Sequence, residues 1–165
     1  MTAAPLKHRA SFPHPPAGPQ GVGESPAEQF AALPWRRMPD GSVKVLLITS
    51  RETRRWVIPK GWPMPDRTPA QAAAQEAYEE AGVVGTSFER PIGAYVYDKR
   101  LRDGALQTVA VIVFPLEVFV EQLAFPECGQ REKLWISPAE AAERIDEPEL
   151  KALIQGFRPP KAPRT

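Results

Sequence analysis

Residues 61–83 read GWPMPDRTPAQAAAQEAYEEAGV, and the reading of this stretch decides the fold. It predicts a helix over Pro69 to Ala81. Thr68 is a good N-cap, Pro69 suits a first turn whose N–H has no partner anyway, and Gln71 completes a capping box. Gly82 stands where a C-terminal cap wants a left-handed residue. The helical period places Ala74, Ala77, Tyr78 and Ala81 on one face, mostly small enough to dock close against a sheet. Glu76, Glu79 and Glu80 are expected on the opposite face, turned outward within one turn of each other. Like charges at these spacings repel by about 0.2–0.5 kcal/mol per pair. No lysine or arginine on the helix relieves them, and Arg67 just before the N-cap is the nearest base.

A solvated acidic face is the bland reading of E-x-x-E-E. The sequence just upstream argues for another. Arg51, Arg54, Arg55, Lys60 and Arg67 face only Glu52 and Asp66. Clustered carboxylates beside clustered bases suit a ligand that carries both metal and phosphate. Hard cations such as Mg²⁺ take oxygen ligands, keep several waters, and bridge carboxylates to substrate phosphates.

Working outward, strand-like segments flank this unit. Gln29 to Trp35 has strand composition, with Pro34 marking an edge or a bulge. Met38-Pro39-Asp40-Gly41 is a turn, and Val43 to Thr49 follows as its hairpin partner. Arg55 to Ile58 is a short strand ended by Pro59, and Lys60 to Asp66 a loop. Strands return over Ser87 to Tyr97 and Leu106 to Val120, joined by a charged turn over Lys99 to Ala105. Pro138 to Ile145 and Pro148 to Ile154 read as closing helices. This order suits an α+β fold, a mixed sheet held between helices.

Composition narrows the setting. The chain has 165 residues and 20 prolines, about 12% against a usual ~5%. Six prolines fall in residues 1–26 and three in the last seven. The expected division is therefore a flexible proline-rich tail over 1–26, a domain over 27–157, and a flexible basic tail over 158–165. Net charge is +1, but removing the five bases and one acid of the tails leaves 16 bases and 19 acids. The domain is thus acidic, at −3, which speaks against a general nucleic-acid binder. No apolar run reaches the roughly 20 residues of a membrane span. Cys128 alone excludes a disulfide framework, and His8 and His14 lie in the tail, so no histidine in the domain could activate a thiol. The expected setting is a reducing compartment, the cytoplasm.

The segment Gly61 to Val83 resembles the Nudix box, G-x5-E-x7-R-E-U-x-E-E-x-G-U with U aliphatic, and the spacing from Gly61 to Gly82 matches without a gap. The strand before it, Arg54-Arg55-Trp56-Val57-Ile58-Pro59-Lys60, is most similar to the diphosphoinositol polyphosphate and diadenosine polyphosphate hydrolase branch. Two positions depart: Arg67 stands where the box has glutamate, and Gln75 where it has arginine. Both charges are lost together, so neither remains as an unpaired partner, and Gln75 can still hydrogen-bond Glu79 one turn on.

The resemblance implies a Nudix α/β/α sandwich and Mg²⁺- or Mn²⁺-dependent hydrolysis of a phosphoanhydride. By the same resemblance Glu76, Glu79 and Glu80, with the Gly61 carbonyl, would be the metal ligands. Glu76 is the first choice of general base, and Glu127 and Glu132 are alternatives. Arg54, Arg55 and Lys60 are candidates to hold phosphate, with Arg131 and Lys133 from a later loop. Trp62, beside Gly61, is the one tryptophan placed to stack on a substrate; Trp35, Trp56 and Trp135 read as packing. Lys99, Arg100 and Arg102 read as a solvated basic turn. Against the enzyme stand two other classes. One is a weakened Nudix domain that binds a nucleotide or a partner, motivated by Arg67 and Gln75. The other is removal of pyrophosphate from RNA 5′ ends, which wants a more basic path than this domain offers.

Overall fold

The computed structural model describes residues 25–161, so nearly all of the tail expected over 1–26 and half of that expected over 158–165 lie outside the described residues. Eight strands and three helices follow in the order β1 (Ala27–Arg37), β2 (Val43–Thr49), β3 (Trp56–Val57), β4 (Lys60–Gly61), α1 (Pro69–Ala81), β5 (Val83–Ser87), β6 (Gly93–Arg100), β7 (Leu106–Glu121), β8 (Lys133–Ile136), α2 (Pro138–Arg144) and α3 (Pro148–Gln155). They build one mixed sheet with helices on both faces, the sandwich that the resemblance implied.

β1 and β7 form its spine. They run parallel from Ala27↔Val109 to Trp35↔Glu117, while the other pairings are antiparallel. Both strands read as long apolar runs because both of their faces are covered. Alternate residues feed two cores. Ala31, Leu33, Trp35, Leu47, Val109 and Val111 point to the side of α2 and α3. Phe30, Ala32, Leu46, Ile48, Phe114 and Leu116 point to the side of α1. Leu33, Leu46, Leu47 and Ile48 are wholly buried, and each such side chain contributes roughly 1.5–3 kcal/mol.

Three strand expectations are corrected. Pro34 does not mark a sheet edge, since β1 is interior. The Ala32 N–H donates to the Pro59 carbonyl at 3.0 Å, and pairing with β2 begins only at Trp35. Pro34 therefore turns its missing donor into the gap between two partners, where no ladder bond is lost. The strand expected over Ser87 to Tyr97 is two, β5 and β6, divided around Pro91. The later loop expected to hold Lys133 is in part β8, whose four residues, KLWI, are too short for a period and pair with β2.

Candidate active site

Local chemistry sets α1 as expected. Thr68 and Gln71 form both bonds of the capping box, and Gly82 ends the helix at φ 72 with its N–H on the Tyr78 carbonyl. The exposed carboxylate face is corrected. The buried residues are Ala70, Ala72, Ala73, Ala77, Ala81 and Glu80, while Ala74 and Tyr78 are half-buried. At 3.6 residues per turn Glu80 falls about 60° from Ala77, on the flank of the stripe. Ala70 and Ala73 carry the docking face in the preceding turns, so Glu80 is drawn in with them. Only 9% of it is exposed.

β4 supplies the other half of the site. Its Lys60 N–H approaches Glu80 Oε2 at 3.4 Å. Gly61 lies directly against Glu76: a methyl group built on its Cα would collide with the Glu76 carboxyl. Glycine is needed here for close approach, not for an unusual backbone angle. The Glu76 carboxyl is thereby held against the β4 backbone. Burial, with the charges of Glu79 and Glu127, pushes it up to about 7, and Arg131 only partly offsets this. Burial likewise lifts Glu80 to about 7, against the pull of Arg131 and Lys60. Gln75 Nε2 reaches Glu79 Oε1 at 3.4 Å, the contact expected of it. Arg67 and Gln75 line one shallow depression beside α1, so the two departures from the box are neighbours in space.

Arg131 ties this helix to the sheet. Its side chain is 10% exposed, with Nη1 donating to the Thr49 carbonyl at 3.1 Å and Nη2 3.5 Å from Glu127 and 3.6 Å from Glu80. Thr49 also accepts the Glu132 N–H on its hydroxyl at 2.9 Å. One arginine thus serves two carboxylates from different segments. Arg51, seen in sequence only as part of the basic loop, takes Glu127 Oε1 at 2.9 Å.

A cleft of about 410 Å³ opens beside Glu80. Of the sequence candidates, Glu80, Arg55, Lys60 and Arg131 line it, whereas Gly61, Glu76 and Glu79 do not. Burial lowers the Lys60 ammonium below its ordinary value, although Glu80 and Glu147 draw it back up, and its Nζ lies 5.1 Å from the Tyr97 ring centre. Arg55 is shared between Asp146 at 3.2 Å and Glu147 at 3.4 Å. The other candidates are placed elsewhere. Arg54 occupies a left-handed turn position, φ 58, and its guanidinium donates to the Gln130 carbonyl. Trp62 is exposed, with Lys99 Nζ 5.1 Å from its ring centre. Lys133 is held by Glu121 at 2.9 Å, and Glu132 is exposed.

Several lining residues were not singled out in sequence. Lys99 and Arg100, read as solvated, line the cleft, as do Gln29, Tyr95, Tyr97 and Glu147. The alternation along β6, which pairs Tyr95 and Tyr97 on one face, was the available signal.

The oxygen-only set of Glu76, Glu79, Glu80 and the Gly61 carbonyl suits a hard divalent cation. Gly61 and the Glu76 carboxyl lie against each other across two elements. Among the described residues no three His, Cys, Asp or Glu side chains converge closely enough to hold a metal ion between them. Mg²⁺ sites that keep waters and share their ligands with substrate phosphates need no closed cage. No helix among the described residues is long and apolar enough to cross a membrane.

Against known proteins, a family model described as the NUDIX domain matches residues 29–157. Nudix hydrolase 13, mitochondrial, of Arabidopsis thaliana is 34% identical over 125 residues, covering 72% of this chain and 61% of that one. This chain spans less than two thirds of the length of that relative. Diphosphoinositol polyphosphate phosphohydrolase 2 of Rattus norvegicus is 49% identical over a shorter stretch of 58 residues, 35% of this chain and 32% of that one. Among solved structures, a C. elegans Ap4A hydrolase superposes with a TM-score of 0.56 at 21% identity, covering 79% of this chain and 95% of that one. At that identity the likeness bears on the fold.

Proposed function

The chain belongs to the Nudix family, and from that premise we propose that it is a divalent-metal-dependent pyrophosphohydrolase. Its substrate would be a nucleoside-diphosphate-X-like or polyphosphate compound, with dinucleoside polyphosphates and diphosphoinositol polyphosphates the favoured classes. The observation that carries this reading is the seating of Glu76 on Gly61, one turn from Glu80, which itself lines a cleft together with Arg55, Lys60 and Arg131.

In this reading Gly61, Glu76, Glu79 and Glu80 hold Mg²⁺ or Mn²⁺. When bound, the ion neutralises anhydride oxygens and lowers the pKa of an attacking water. The chain's own residues do the rest. Lys60, Arg55 and Arg131 supply donors where the phosphates enter, and partial burial strengthens those contacts. Glu76 is the first choice to take the proton of the attacking water, because burial and neighbouring carboxylates raise its pKa to about 7 and make its carboxylate a stronger base than an ordinary glutamate. Glu127 is a weaker alternative, engaged by Arg51 and Arg131, and Glu132 a weaker one still. The names of two similar proteins support the substrate classes: the rat relative acts on diphosphoinositol polyphosphates and the nematode structure is of an Ap4A hydrolase.

The test is a screen of dinucleoside polyphosphates, nucleoside diphosphate sugars, ADP-ribose and inositol pyrophosphates with Mg²⁺ or Mn²⁺. Glu79→Gln and Glu80→Gln run alongside. The reading expects release from at least one class and a loss of roughly 10²-fold or more in each variant. No release from any substrate, or variants as fast as the parent, would overturn it.

A further inference from the structure

The cleft carries more than cations. Gln29, Tyr97 and Glu147 also line it, from β1, β6 and the start of α3. Tyr97 Oη donates to Gln29 Oε1 at 2.7 Å, which fixes both side chains and leaves the Gln29 amide nitrogen as a donor. Glu147 is the N-cap residue of α3, yet its side chain caps nothing. One oxygen, Oε1, meets Arg55 at 3.4 Å, and the other, Oε2, is buried without a partner. A buried acceptor left unpaired is costly, so a ligand that brings a donor gains by satisfying it. The charge of Glu147 also reaches across the cleft: it adds to the burial that raises Tyr95 and Tyr97, and partly offsets the burial that lowers Lys60.

The two favoured substrate classes differ in what they can offer this group. A nucleoside presents uncharged donors, an exocyclic amine and ribose hydroxyls. A diphosphoinositol polyphosphate presents phosphates around its whole ring, and those oxygens repel a carboxylate. We propose that Glu147 is a specificity-determining residue, which with Gln29 and Tyr97 receives the nucleoside end of the substrate and turns away a ring phosphorylated on every side. The proposal rests on the reading of the chain as a polyphosphate hydrolase and narrows its substrate to nucleoside polyphosphates. Its mechanism is one attraction and one repulsion from a single carboxylate. Arg55 plays a second part, since Glu147 takes up one of its donors and so lowers the cation's hold on extra phosphate.

The test is calorimetric binding to the full chain with Mg²⁺, using two probes without a cleavable anhydride. One is a methylene-bridged analogue of diadenosine tetraphosphate, and the other is inositol hexakisphosphate. Glu147→Ala is expected to weaken the dinucleotide analogue about tenfold and to tighten the hexakisphosphate about tenfold. Glu147→Gln keeps the shape, guards against misfolding of the alanine variant, and should move the two ligands in the same opposed directions. Asp146→Asn releases the other, exposed partner of Arg55 and should shift both ligands together by less than about threefold. If both probes bind but Glu147→Ala and Glu147→Gln move them in one direction, or by less than threefold, Glu147 is only a structural partner of Arg55 and the proposal is overturned. If the parent protein binds neither probe, the polyphosphate reading falls and the proposal falls with it.

Discussion

Gly61→Ala isolates the contact on which the site turns. The backbone of Gly61 is not in the left-handed region, so alanine is tolerated by its dihedral angles. The added methyl would overlap the Cγ, Cδ and Oε1 atoms of Glu76, the far end of a flexible side chain. Ordinary carbon contact lies near 3.5–4.0 Å, so the carboxyl must withdraw by about an ångström or more. Moving it off its preferred rotamer costs roughly 0.5–1.5 kcal/mol. For a chain of this size that is a fall in Tm of only about 2–6 °C. Catalysis is far less forgiving, since an ångström of misplacement in a reacting group costs about 10²-fold. The expected variant is therefore folded, melts within a few degrees of the parent, and shows kcat lowered about 10²-fold on whichever substrate the screen identifies. Thermal unfolding by circular dichroism and steady-state kinetics measure the two quantities on one preparation. Activity within threefold of the parent would refute the reasoning, because Glu76 would then work without its seat on Gly61.

Other outcomes follow from the same contacts. Arg131→Ala strands Glu80 and Glu127 in a partly buried place, so a loss of about 3 kcal/mol in chemical denaturation is expected; a loss under about 1 kcal/mol would show the carboxylates find other partners. Burial of Glu121 is outweighed by Lys133, the Trp135 indole and Arg36, and its pKa falls below the ordinary 4.5. Its contribution to stability is thus present above about pH 4.5 and lost as pH falls through the lower folded value, and Glu121→Gln should flatten the acid limb of stability against pH. An unchanged limb would assign the acid sensitivity elsewhere. Gln75→Arg alone should change kcat/KM by less than about threefold, because the new charge faces Arg67 across one depression, whereas Arg67→Glu with Gln75→Arg restores a pair. A large gain from the single change would show that the two positions are independent.

Local signals carried α1 almost to the residue. Thr68, Pro69, Gln71 and Gly82 act through bonds that span four residues or fewer, and such bonds need no knowledge of the rest of the chain. The side to which the carboxylates turn was not legible in the same way. An all-alanine stripe gives a weak preference between one flank and the other, and the choice was made by β4 and Arg131, which meet the helix from outside. Pro34 misled for a related reason: its cost depends on whether a partner strand wants its N–H, which is decided by where β4 ends and β2 begins. The cleft was the least legible part. Gln29 and Tyr97 are brought together by the pairing of β1 and β6 with β7, and Glu147 joins them from the start of α3, so none of them carries a spacing that marks it in advance.

The spine of the sheet has a consequence for how the molecule is made. β1 is synthesised first, yet its parallel partner begins about eighty residues later, at Val109. α1 emerges in between, with an alanine face and three carboxylates, before much of the surface it docks on exists. Parallel pairing across so long a loop must meet the closure entropy before any contact rewards it, and such folds form slowly. The nascent chain therefore carries the carboxylates of α1 without Arg131 and Glu147, which follow β7 and leave the ribosome later, and the earlier stretch is the one most exposed to misassociation and proteolysis.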